Sequence, residues 1–354
     1  MILKLQTPPD FGRTRPSGSW LRLQAAGLAL LCCIGCAATP PARPAKAAPV
    51  WPAPPAEPAV VYVRDISCPA DIGARPSVLG RFADWITGVG RDQGKLSIPF
   101  GLALDDSDNL LVTDTGAGAV CFLDLTRKKW LRWESAGNLR FKAPVAVARR
   151  GPTIFVADSA LGKVLALDAK GKLKFEITLE LERPSGLALS GDRLLVTDAQ
   201  RHHVVIYDLG GKFISKFGGR GSGPGEFNFP THVSVDAAGR IYVTDAMNYR
   251  IQVFAANGQF LRAFGSAGDG PGRFSRPKGV AADPAGHVYV VDAVFDNVQV
   301  FDEQGRLLMN WGEAGQLPGE FWLPNAIVIS RDNEIYVADS FNHRIQVFRY
   351  IRKP

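Results

Sequence analysis

The 354-residue chain sets 41 Lys and Arg against 34 Asp and Glu, a formal net charge of +7, with 46% apolar residues and five cysteines. Mild basicity of this kind suits anionic lipid and polysaccharide better than nucleic acid, and a secreted chain would meet no RNA. The longest apolar run near the start, Leu23 to Ile34, is too short to cross a bilayer.

Lys4, Arg13, Arg15 and Arg22 precede that run, the arrangement of a signal-peptide h-region. It ends in Cys33-Ile34-Gly35-Cys36, which resembles a bacterial lipoprotein signal, with cleavage after the small Gly35 and lipid on Cys36. Cys33 stands where Leu is usual. Residues 1–35 are therefore expected to be a lipoprotein signal peptide, the alternative being an uncleaved anchor. Ala37 replaces the Asp that resembles an inner-membrane retention signal, so the resemblance implies a lipid-anchored envelope protein of the outer membrane. Cleavage would leave 37 basic against 33 acidic residues, a net +4. It would also leave Cys68 and Cys121 either as a disulfide in an oxidising compartment or as two unpaired thiols.

Residues 36–58 follow as a tether. From Ala37 to Ala59, 17 of 23 residues are Ala or Pro, too few large apolar groups to bury a core. At about 3.1 Å per residue such a spacer reaches roughly 70 Å. Trp51 within it reads as a solvated linker aromatic. Residues 59–98 come next. Ala59-Val60-Val61-Tyr62-Val63 is an apolar strand, and Ser77 to Gly88 sets Val78, Leu79, Phe82, Trp85 and Ile86 on one helical face opposite Arg81 and Asp84. That short amphipathic helix either packs on the rest of the fold or meets a membrane or partner.

Residues 99–354 repeat one phrase six times, two apolar residues, a small one, then Asp. The copies end at Asp114, Asp158, Asp198, Asp245, Asp292 and Asp339, at steps of 44, 40, 47, 47 and 47. A period of about forty to fifty residues made of short β-rich segments signals propeller blades. In the fourth repeat, strands run from Pro230, from Ile241, from Ile251 and from Gln259, with the Asn257-Gly258 hairpin signal before the last. Repeats open at Pro99, Pro144, Pro184, Pro230, Pro277 and Pro324. The sixth holds three strands, and an open edge would invite aggregation. The expected fold is all-β, a six-bladed β-propeller of four-stranded antiparallel blades, its ring closed by the N-terminal strand from Ala59.

Asp245-Ala246-Met247-Asn248-Tyr249-Arg250-Ile251-Gln252-Val253-Phe254 and Asp339-Ser340-Phe341-Asn342-His343-Arg344-Ile345-Gln346-Val347-Phe348 resemble the NHL repeat family, with linking loops such as 217–227. The resemblance covers roughly residues 99–350 and loosens where His203, Asn297, Ala119 and Lys163 replace the Arg. It implies a six-bladed propeller and no single activity.

The repeated Asp residues read as structural, accepting backbone N–H groups at a turn, with His203, Arg250 and Arg344 as pairing partners. Zinc-dependent amidating lyases resemble this fold and bind metal with axial His residues. Here only His232 has an axial place, its equivalents being Gly101, Ala146, Gly186, Gly279 and Ala326, whereas catalytic zinc takes about three protein ligands. Calcium-dependent lactonases are disfavoured because Phe100, Val145, Ser185, Thr231, Lys278 and Asn325 include no carboxylate. No catalytic residue, metal site or cofactor is expected. Two surfaces remain. One face of the disc carries Arg201, His202, Asn248, Tyr249, Phe295, Phe341, Asn342 and His343 between glycine-rich loops at 218–229, 265–276 and 312–323. The axial channel carries Ser185, Thr231, His232, Lys278 and Asn325. The expectation is a membrane-tethered scaffold binding an envelope protein or glycan through that face. The alternatives are a metal-dependent lyase or lactonase-like enzyme, or a small-molecule sensor using the channel.

Overall fold

The structure of the chain, a computed structural model, describes residues 48–53, 55–57, 59–74 and 94–351. The segments 1–35 and 77–88 and the cysteine at position 36 lie outside the described residues. Six antiparallel sheets stand around one axis. The strands Pro99–Leu104, Leu110–Asp114, Ala119–Asp124 and Lys129–Trp133 form blade 1. Blades 2, 3, 4 and 5 repeat the pattern from Pro144, Pro184, Pro230 and Pro277.

The repeated phrase is the second strand of each blade. Leu110–Asp114, Ile241–Asp245 and Val288–Asp292 are buried at every position. A strand covered on both faces needs a continuous apolar run rather than alternation, which is what those four residues supply. The fourth strands alternate, as in Phe260–Phe264, because one side faces solvent. Apolar cores fill each gap between neighbouring blades. Phe155 and Tyr207 share the cluster between blades 2 and 3, for example, and Phe227 and Phe254 that between blades 3 and 4. Burial of this kind contributes about 25 cal/mol per Å² of apolar surface.

Closure follows the expected route and goes further. The strand β1 (Val50–Trp51) pairs with β2 (Val60–Ile66), and β2 pairs antiparallel with Arg344–Tyr350 of blade 6. β2 thus supplies the missing fourth strand and β1 adds a fifth. Val60 enters the core between blades 5 and 6, while Ile66 joins that between blades 6 and 1. The residues 50–51 of the expected tether therefore belong to the sheet. Trp51, expected to be solvated, instead meets Phe348 edge-on at 5.8 Å, because the pairing of β1 turns its ring onto the core.

The glycine-rich loops are closed rather than adaptable. Phe227, Phe274 and Phe321 turn back under the loops that start at Gly218, Gly265 and Gly312 and are fully buried. A Cβ at Gly218 would stand 2.5 Å from the Phe227 ring at φ +95°, so only glycine fits there. Gln252 completes the loop before blade 4, accepting from Gly225 N–H at 2.9 Å and donating to Glu226 C=O at 2.6 Å. Cys68 and Cys121 are both free thiols, and burial pushes the Cys121 thiol up to about 12.

Candidate binding face and axial channel

All six repeated Asp side chains are fully buried, and they stitch each blade to the loop that enters it. In blades 1, 2, 3 and 5 the carboxylate takes backbone N–H groups from both sides. Asp198, for instance, accepts from Glu182 and Arg183 before the blade and from Gln200 and Arg201 after it, at 2.7–3.0 Å. Blades 4 and 6 add side chains. Asp245 accepts from Asn248 at 2.8 Å, Arg250 at 2.8 Å and Gln252 at 3.0 Å, and Asp339 from Asn342, Arg344 and Gln346 at 2.8–3.0 Å. The Asp-to-Arg spacing of five residues places donor and acceptor opposite each other across the strand pair. His203 takes another course, its Nε2 lying 3.0 Å from the Glu180 carbonyl.

These contacts bring the turns after each Asp and the loops before each first strand to one face of the disc. The residues expected there divide by role. Asn248 and Asn342 spend their amides inward on Gly221 and Gly315 carbonyls. His202 is buried against Phe229 and accepts its N–H at Nδ1, 3.1 Å away. His343 Nδ1 contacts the Ser97 carbonyl, and Arg201 pairs with Glu180 and Glu182. Tyr249 and Phe295 line one groove of about 380 Å³ between blades 4 and 5, with Asp269 and Ser275 on its rim. Phe341 stays exposed.

A pattern that the repeat spacing carries, and that was not drawn from it, emerges two positions after each Asp. There blades 4, 5 and 6 hold Met247, Val294 and Phe341, exposed by 53%, 49% and 42%. Blades 1, 2 and 3 hold Gly116, Ala160 and Gln200. Trp322, 47% exposed, lies 5.9 Å from the Phe341 ring, and Leu317 is exposed in the same loop. At this turn, large apolar side chains are thus exposed in blades 4, 5 and 6.

The expected axial residues do converge. His232 Nε2 lies 3.3 Å from Asn325 Nδ2, which also donates to the Phe100 carbonyl at 3.0 Å, so blades 4, 6 and 1 are bridged across the axis. With Nε2 accepting, Nδ1–H faces Thr231 Oγ1 at 3.2 Å, which is the neutral imidazole. Burial first, then the Lys278 charge, lowers His232 to about 3. Ser185 donates to the Pro230 carbonyl at 2.9 Å. His232 and Val145 line both of two axial chambers. The lower, about 270 Å³, is walled largely by Leu, Val, Ala and Ile of the first strands, including Leu187 and Ile327. The upper, about 200 Å³, opens to the binding face and adds Arg183 and Phe229, which sequence reasoning passed over. Both precede a repeat-opening proline, so the register of the repeat marks them. Among the described residues no group of three or more His, Cys, Asp or Glu is placed to hold a metal ion.

Residues 321–348 match the family model of the NHL repeat, and residues 173–239 and 237–292 match a model described as a 6-bladed beta-propeller. The chain is a six-bladed β-propeller with an NHL repeat in its sixth blade. In fold the propeller is similar to virginiamycin B lyase from Staphylococcus aureus, at 14% identity and TM-score 0.53 over 72% of this chain and 96% of that one. It is similar to an auxiliary nutrient binding protein from Bacteroides thetaiotaomicron at 13% identity and TM-score 0.59, over 74% and 71% of the two chains. Hydrazine synthase of Kuenenia stuttgartiensis matches at 14% identity and TM-score 0.53, over 74% and 97%. Identities this low speak for the fold alone.

Proposed function

We propose that this propeller is a binding scaffold, held to the outer membrane of a bacterial envelope by lipid on Cys36, that docks an envelope protein on the face where these apolar turns are exposed. The observation that carries the reading is the exposed arc of Met247, Val294 and Phe341, extended by Trp322. Equivalent turns across the ring place no large apolar side chain there. Exposed apolar side chains grouped on one face mark interaction sites, and aromatic and Met side chains are enriched in them. Of the four side chains only Trp322 carries a strong hydrogen-bonding group, its indole N–H, which favours a protein over a glycan. Its support is rigid, because the loops beneath it are tied to buried Asp and Gln side chains.

The experiment is mild crosslinking and affinity purification of the full chain from membranes, beside the double variant Met247→Ser, Phe341→Ser. Capture of a specific envelope protein by the parent and its loss from a folded variant supports the scaffold. An unchanged partner set in the variant overturns the assignment of the site to this arc.

A further inference from the structure

We propose that the upper axial chamber is a binding site for a small organic carboxylate. Lys278, on the first strand of blade 5, lines this chamber, and its charge meets only another cation, Arg276 on the loop before it. Facing it are neutral His232 of blade 4 and, at the rim, Arg183 from the loop before blade 3. Among the described residues no carboxylate lines the chamber. The hydroxyls of Ser185 and Thr231 are already engaged, so among the described residues lining the chamber the ammonium meets no counter-charge. Leaving a cation unpaired in such a place is costly, and an anion arriving through the mouth would supply the missing charge.

The walls narrow the class of anion. Phe100, Val145 and Phe229 are apolar, which fits the body of an organic ligand better than a hydrated inorganic ion. A single ammonium is a point charge suited to one carboxylate, with Arg183 free to add a second donor from the rim. The volume of about 200 Å³ admits a small molecule, and the neutral His232 ring forms part of its wall. Burial together with Arg276 lowers Lys278 to about 8, so the site carries its charge at neutral pH and loses it as pH rises through that value. This inference goes beyond the scaffold reading and does not depend on it.

The test is calorimetric titration of the detergent-solubilised full chain with benzoate at pH 7, with benzamide as the neutral isostere. Saturable binding of one benzoate per chain is expected, at least tenfold tighter than benzamide. Lys278→Met, which removes a buried charge and keeps the fold, should weaken benzoate at least tenfold, and Arg183→Gln should weaken it less. Affinity of the parent should fall between pH 7 and pH 9. No saturable benzoate binding, equal affinity for benzamide, or an unchanged affinity in a folded Lys278→Met protein would each overturn the proposal. Loss of the partner at the apolar arc leaves these results untouched, so the two readings fail separately.

Discussion

Arg344 and Asp65 are separated by 279 positions, yet the Arg344 Nη1 donates to Asp65 Oδ2 at 2.9 Å. The same guanidinium donates through Nε to buried Asp339 at 2.8 Å and through Nη2 to the Leu317 and Glu320 carbonyls at 3.0 Å. One side chain thus joins the ring-closing strand, the last repeat and the loop that enters it. Its counterpart in blade 4, Arg250, makes the matching contacts to Asp245, Gly223 and Glu226 but has no closing strand to hold.

Arg344→Ala should therefore cost about 3 kcal/mol, since it leaves the Asp339 carboxylate buried without its cation. Arg250→Ala should cost less, because that guanidinium is more exposed and lacks the Asp65 link. Urea denaturation of both variants checks the order. Equal losses would mean that the Asp65 contact adds nothing to closure.

Truncation separates the two N-terminal strands. A chain beginning at Ala59 keeps β2 and loses the Trp51–Phe348 contact, worth about 1 kcal/mol beyond its buried area, and should remain a folded monomer. A chain beginning at Ser67 exposes the edge of Arg344–Tyr350 and should self-associate. Size-exclusion chromatography distinguishes the outcomes. A monomeric chain from Ser67 would show that β2 is dispensable for closing the ring.

Neighbouring glycines give opposite results. Gly218→Ala would drive a Cβ to 2.5 Å from the Phe227 ring in left-handed backbone, and about 2 kcal/mol of stability should be lost. At Gly219 the added Cβ meets nothing within 4 Å, and Gly219→Ala should change stability by less than about 0.5 kcal/mol. Thermal unfolding of the pair measures the difference. A harmless Gly218→Ala would mean that Phe227 does not close the loop.

Two axial groups make stability depend on pH. His232 is held neutral in the folded state down to about 3, while the unfolded chain takes up the proton near 6.5. The unfolded state binds more protons between those values, so stability falls as pH drops through that window, by at most about 1.4 kcal/mol per pH unit. Lys278, lowered from 10.5 to about 8, acts in the same sense at alkaline pH, and stability should rise as pH climbs from 8 to 10.5. Denaturant midpoints of the parent and of His232→Gln and Lys278→Met across pH isolate each contribution. A parent and His232→Gln that lose stability in parallel between pH 6.5 and 3 would remove the histidine from the account.

The fold was legible because a propeller writes its geometry as a local period. Each blade needs an apolar second strand buried on both faces and an Asp at its end, so Leu110–Asp114 and Ile241–Asp245 announce themselves without reference to any partner. The closing strand was legible from a deficit, three strands where four are needed. β1 was not, because Val50–Trp51 sits among prolines and alanines, and its pairing depends on where β2 happens to run. The site divides in the same way. Composition marked Phe341 and Tyr249 as surface aromatics and Lys278 and His232 as axial, since register alone puts a residue on the axis or at a turn. Register does not say which way a side chain turns, so Asn248 and His202 looked like binding groups until their hydrogen bonds were seen to run inward. The Lys278 chamber arises from residues that the ring brings together from blades 1 to 5, and the Trp322–Phe341 pair from the fold of the sixth repeat onto its own entering loop. The period of the chain determined the scaffold, because its forces act within one repeat and between nearest neighbours. The setting of Lys278 in an axial chamber, and the exposure of Met247, Val294 and Phe341 on one face, were decided by the tertiary structure, where all six repeats meet.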